Sequence, residues 1–143
     1  MPQTKQAPDY RARIEKLQQA MREFGLQAIV LEPGPAMLYL TGVRWGRSER
    51  TFAATIPVNG GPIFVVPAFE EMRAKELIQT GWEIRTWQED ESPFQMIAGA
   101  LRDRGRVGID PGMRFFVYDG IRKLAAGVNL VSAQAVLKSA GAN

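Results

Sequence analysis

The 143-residue chain contains neither cysteine nor histidine, which excludes disulfides, thiolate and imidazole metal ligands, and every Ser/His or Cys/His catalytic pair. Its 18 Lys+Arg against 15 Asp+Glu give a formal net charge of +3, and because basic and acidic residues interleave rather than mass, the charge carries no nucleic-acid footprint. A composition of 45% hydrophobic and 23% charged residues, with no run approaching the roughly 20 apolar residues of a membrane span, is that of one soluble domain. The start of the chain lacks a signal-peptide pattern, so a cytoplasmic location is expected.

Residues 1–8 are polar and are expected to form a loose segment. Asp9 is placed to cap a helix in which Ile14, Leu17, Met21 and Phe24 recur at helical spacing, and Gly25 supplies its stop. QAIVLE, from Gln27 to Glu32, is a short β-prone run bounded by that glycine and by Pro33-Gly34-Pro35, the profile of a buried strand. A short helix follows from Pro35 and ends at Gly42, with Leu38 and Leu40 turned to the core. Thr51 to Val58 and Pro62 to Val66 flank Asn59-Gly60-Gly61, residues that accept the positive φ of a tight turn, and so predict a β-hairpin.

Phe69 to Gln79 predicts a helix with Glu70 and Glu71 at its positive end and Phe69, Met72, Leu77 and Ile78 as its apolar residues. WEIRTW, from Trp82 to Trp87, alternates as a half-exposed strand does. Gln88 to Ser92 is an acidic loop, and Pro93 opens a helix to about Arg104 with Phe94, Ile97, Ala98 and Leu101 inward. Arg106 to Asp110 is a further strand, Arg114 to Ala126 a helix, and Val128 to Ala133 a last strand, after which SAQAVLKSAGAN is weakly structured by pattern. The alternation calls for an α/β fold: a mixed sheet with one antiparallel hairpin, flanked by helices on both faces.

Most chemistry-bearing residues have an ordinary reading. Glu89, Asp90 and Glu91 could bind a hard cation, but consecutive carboxylates point apart and read as a solvated loop. Asp110 reads as a turn or cap residue and Asp119 as a surface residue. Gly105, Gly108 and Gly112 do not form the G-x-G-x-x-G that opens a helix after a strand, and are turn glycines. Trp82 and Trp87 are packing residues.

The segment from Arg44 to Arg50, RWGRSER, differs in kind. Guanidinium groups bind carboxylates bidentately, an adjacent indole offers an apolar wall, and Gly46 permits close backbone approach, so Trp45, Arg47 and Arg50 suit anion recognition. The same residues equally suit a surface loop of weak ion pairs.

Taken in order, the amphipathic first helix, AIVLEPGPAMLYLTG, the NGG hairpin, VVPAFEEMRAKE, RTWQEDESPF and RVGID resemble the N-terminal domain of the creatinase/prolidase group, which includes Xaa-Pro dipeptidases and aminopeptidase P (peptidase family M24). Its most recognisable piece is Tyr39, Leu40, Thr41 and Gly42. The resemblance implies a ribonuclease H-like motif, one such domain over residues 9–137 and a tail over 138–143. It also implies a C-terminal catalytic domain, absent from this chain, that holds two divalent metals (Mn, Co or Zn), so that this chain holds no cofactor and is inactive alone. The expected partners are that catalytic domain, a second copy in a homodimer, and a proline-containing peptide substrate. In creatinase an aromatic-Gly-Arg triplet contacts the partner's substrate, and the matching positions here are Trp45, Gly46 and Arg47. Two other readings stay open: a stand-alone domain binding a carboxylate ligand, and the N-terminal domain of a creatinase-type amidinohydrolase.

Overall fold

A computed structural model describes residues 7–142, so the first six residues of the expected loose segment lie outside the described residues. Asp9 caps helix α1 (Tyr10–Phe24) by accepting the Ala12 N–H at 3.0 Å, and Gly25 closes it with φ 71°. Strand β1 (Ala28–Leu31) is buried along its whole length and leads through Pro33-Gly34 into helix α2 (Pro35–Thr41). Strands β2 (Ala53–Pro57) and β3 (Ile63–Pro67) form the predicted hairpin, with Gly60 at φ 90°. A 3-10 turn (Ala68–Glu70) and helix α3 (Glu71–Leu77) then lead to β4 (Glu83–Trp87). Helix α4 (Pro93–Ala100), capped by the Ser92 hydroxyl, β5 (Arg106–Ile109), α5 (Phe115–Leu124), β6 (Asn129–Ser132) and α6 (Gln134–Ser139) complete the order.

The strands form one six-stranded sheet in the order β4-β3-β2-β1-β5-β6. Pairing is antiparallel on both sides of β2 and parallel for β1/β5, β3/β4 and β5/β6, so β2 alone runs against the other five. The period-2 alternation of the strands divides two cores. Ile29, Leu31, Ile56, Phe64 and Val66 pack on one face against Leu17 and Met21 of α1, Met37 and Leu40 of α2, and Ile78. Val30, Ala53, Val65 and Val107 pack on the other against Ile97 and Leu101 of the α4 segment and Val117 and Ile121 of α5. This is the expected mixed sheet covered on both sides.

Two local expectations are corrected. The stretch from Ser132 on is not weakly structured: α6 buries Val136 and Leu137 in the α1 face of the core, and Ala140 and Ala142 are buried beyond it. A six-residue helix with two adjacent apolar residues shows too little periodicity to be read, yet tertiary packing holds it. In the α3 region, Phe69 and Met72 do not turn inward but are 65% and 80% exposed, while Ala74 and Ile78 are buried. The 3-10 turn sets α3 so that this side faces the core.

Candidate functional site

Because β1, β3, β4, β5 and β6 share one direction, their carboxyl ends lie on one edge of the sheet, together with the start of β2. In open α/β sheets such edges, where successive connections leave in opposite directions, are where ligands meet loops. The loop between α2 and β2, which contains Arg44 to Arg50, enters β2 on this edge.

The centre of the edge is built on two acids. Glu32, the first residue after β1, is fully buried. Its carboxylate accepts the Arg114 backbone N–H at 2.7 Å at the start of α5, and the Arg114 guanidinium from Nε at 3.1 Å and Nη2 at 2.7 Å. A buried carboxylate is tolerable only with such partners, and the helix N-terminus adds a favourable field. Asp110, directly after β5 and 8% exposed, accepts the Glu32 N–H at 3.2 Å through Oδ2 and the Gly112 N–H at 2.9 Å through Oδ1. Asp110 is therefore the turn residue its sequence suggested, and it also ties the ends of two strands together. A cavity of about 420 Å³ lined by Met113, Phe115, Tyr118 and Leu130, and one of about 250 Å³ lined by Pro35, Gln134 and Leu137, open on either side of Asp110-Pro111.

The three loop residues singled out from sequence take separate places. Arg47 is exposed but anchored: its Nε–H donates to the Pro33 carbonyl at 2.7 Å, and Nη2 lies 3.6 Å from where a Cβ on Gly34 or on Gly112 would stand. Trp45 is half-buried, stacked on Phe52 at 4.2 Å between ring centroids, with the Arg73 guanidinium 4.7 Å over its ring. Arg50 pairs with Glu89 at 2.5 Å and lies 4.9 Å over the exposed Phe69 ring, beside a cavity of about 270 Å³ lined by Trp87 and Gln88. Arginine and aromatic groups thus alternate along the edge, but Trp45, Arg47 and Arg50 each turn to a different neighbour.

Tyr39, Leu40, Thr41 and Gly42 have structural tasks. Arg13 of α1 lies 4.0 Å over the Tyr39 ring and donates to its carbonyl at 2.7 Å. Leu40 is core, and the Thr41 hydroxyl donates to the Met37 carbonyl at 2.6 Å and accepts the Val43 N–H at 3.3 Å. Gly42, at φ 75°, ends α2 where a Cβ would stand 2.7 Å from the Tyr10 ring. The motif fixes the base of the loop on α1.

The remaining candidates fall as follows. Trp82 and Trp87 are 8% exposed, and Trp87 donates Nε1–H to the Thr51 carbonyl at 3.0 Å. Glu89, Asp90 and Glu91 are exposed, with Glu91 accepting the Gln88 N–H at 2.8 Å. Gly105 turns the chain at φ 73°, Gly112 belongs to the Asp110 turn, but Gly108 is a strand residue packed beneath Ala133, Leu26 and Ile29. Asp119 pairs with Arg122 and Lys123 on the outside of α5; the hydrogen bond from Arg122, then that from Lys123, holds its carboxyl below the ordinary value, and the same contact raises Arg122. Among the described residues no three His, Cys, Asp or Glu gather as a metal site, and no helix is long and apolar enough to cross a membrane.

Sequence reasoning missed the Glu32–Arg114 pair, whose members stand 82 positions apart. Its one signal was a carboxylate closing an otherwise apolar strand.

This architecture defines an α/β domain in which Arg47, Trp45 and Arg50 lie along the carboxyl edge of its sheet. The chain belongs to the Creatinase/Prolidase N-terminal domain family, whose profile matches residues 13–140. An uncharacterized peptidase of Schizosaccharomyces pombe is 33% identical over 131 residues, covering 82% of this chain and 29% of the relative. Among solved structures, dipeptidase PepE from Mycobacterium ulcerans superposes with a TM-score of 0.81 at 28% identity, over 90% of this chain and 35% of that one. The N-terminal domain of an X-PRO dipeptidase from Streptococcus pyogenes shares the fold, with a TM-score of 0.75 at 16% identity, over 89% of this chain and 97% of that domain. The chain thus spans about a third or less of the length of the yeast relative and of the mycobacterial enzyme.

Proposed function

We propose that this chain is the non-catalytic N-terminal domain of an Xaa-Pro metallopeptidase of dipeptidase or aminopeptidase P type, acting with a C-terminal catalytic domain of the same protein in a cytoplasmic homodimer. The two divalent metals of the reaction are assigned to that catalytic domain; among the described residues of this chain no three His, Cys, Asp or Glu gather as a ligand set. The similarity to peptidases about two and a half to three times as long supports the division of labour.

The observation that carries the functional role is Arg47. Among the described residues its side chain makes a hydrogen bond only through Nε, to Pro33, which leaves its terminal nitrogens on an exposed side chain. A guanidinium held in that way is ready to pair with a carboxylate, the group that ends every dipeptide. In the proposed dimer it reaches the substrate of the partner subunit, and closure over the site strengthens the pairing by excluding water. Trp45 and Arg50 are assigned to the rim of that surface, Trp45 already stacked on Phe52 and Arg50 already paired with Glu89.

The test is steady-state kinetics of the full-length protein on an Xaa-Pro dipeptide. Arg47→Ala raises KM several-fold while leaving the metal-dependent chemistry in place; unchanged kinetics would refute the role. Creatine as a parallel substrate separates the peptidase reading from the amidinohydrolase one.

A further inference from the structure

Pro33 presents the carbonyl that holds Arg47, and the residue before it is tied down by Asp110 after β5 and Arg114 at the start of α5. The Glu32 N–H donates to Asp110 at 3.2 Å, while the Asp110 N–H donates back to the Val30 carbonyl at 2.9 Å, so the end of β1 is fastened to the turn after β5 by main chain and side chain together. The Glu32 carboxylate is clamped by the Arg114 N–H and the Arg114 guanidinium fork. Pro33 adds a φ fixed by its ring. Its carbonyl then accepts Arg47 Nε–H at 2.7 Å, and Nη2 lies 3.6 Å from the Cβ positions of both Gly34 and Gly112.

We infer that Asp110 and the Glu32–Arg114 pair are positioning residues for the Arg47 guanidinium. An arginine side chain has several rotatable bonds whose freedom is lost when it grips a ligand, and a donor frozen beforehand loses less. The two acids convert an exposed loop arginine into a directed one by fixing the main-chain acceptor it uses among the described residues. Gly34 and Gly112 flank the guanidinium, whose Nη2 lies within ordinary contact distance of the Cβ position at each. The functional consequence rests on the role proposed for Arg47; the positioning itself is a property of this chain and is tested separately.

The first readout is hydrogen exchange of the arginine Nε–H groups in the 143-residue chain by ¹⁵N NMR. Arg47 is expected to exchange about tenfold more slowly than the exposed Arg44, the protection of one net hydrogen bond. Arg114→Lys keeps the charge but loses the two-point fork, and Asp110→Asn keeps the size but replaces one of the two acceptor oxygens with an NH2 donor. Both are expected to bring Arg47 close to the rate of Arg44 while the amides of Ile29 and Val30 in β1 stay protected. Rapid exchange of Arg47 in the unaltered chain overturns the proposal, as does protection retained in both variants. Loss of β1 protection in both variants together with that of Arg47 also overturns it, since the pair would then determine the fold rather than aim a side chain. In the full-length enzyme, Arg114→Lys raises KM with kcat nearly unchanged, and does so only while Arg47 is present. Should Arg47→Ala itself leave KM unaltered, the substrate role alone falls, and the exchange data still decide the positioning.

Discussion

Gly120 in the middle of α5 provides a case in which two known effects oppose each other. Alanine in place of glycine inside a helix is worth about 1 kcal/mol from propensity alone. Here, however, the added Cβ would stand 2.6, 2.7 and 2.8 Å from Cδ2, Cγ and Cε2 of Phe94. Cγ is fixed by χ1, so a ring flip does not relieve the contact, and Phe94 lies in the first turn of α4 packed on the second core. Overpacking of this kind costs about 1 to 3 kcal/mol. The clash therefore outweighs the propensity, and Gly120→Ala is expected to lower stability by about 1 kcal/mol, or Tm by about 3 °C for a domain of this size. Thermal unfolding followed by circular dichroism measures it. The control is the same change in a Phe94→Ala background, where the clash is gone and Gly120→Ala is expected to raise Tm. An increase in Tm with Phe94 in place would refute the α4/α5 packing described here.

Three further outcomes follow. Leu137→Ala, which empties a core position that is 2% exposed, is expected to cost about 2 to 5 kcal/mol in chemical denaturation, and a loss well below 1 kcal/mol would mean that α6 is not part of the core. Trp87→Phe removes the buried bond to the Thr51 carbonyl and is expected to cost about 1 to 3 kcal/mol, with the hydrogen exchange of neighbouring β2 amides accelerating; unchanged stability would deny that bond. The Asp119 carboxyl, held down by Arg122 and Lys123, is expected to titrate below the ordinary 3.8. Its contribution is present above that value and is lost as pH falls through the lowered midpoint. A carbon-detected NMR titration with a midpoint at or above 3.8 would contradict the pairing.

What the sequence disclosed followed the range over which each signal acts. Strands and helices with a full period, such as Ile14, Leu17 and Met21 in α1 or the alternation of β4, were legible because one element's own residues carry the pattern. The NGG hairpin and the Asp9 cap are local chemistry and were equally plain, whereas the Ser92 cap was read only as the end of a loop. Phe69 and Met72 misled because hydrophobicity reports a preference for burial and not which side a 3-10 turn will face. The loop from Arg44 to Arg50 was visible as a composition, but that Trp45 stacks on Phe52 and Arg50 pairs with Glu89 depends on strands brought together by the sheet. Glu32 and Arg114 show the limit most clearly: each reads as an unremarkable end residue, and only the parallel pairing of β1 with β5 makes them a pair.

The central claim is that this domain works as part of a longer peptidase, and the intact mass of the gene product purified from its source cells tests it most directly. A species of about two and a half to three times the 15.9 kDa of this chain is expected, from the lengths of the yeast relative and the mycobacterial dipeptidase. A native product of 15.9 kDa would contradict it and leave a domain that binds its ligand alone.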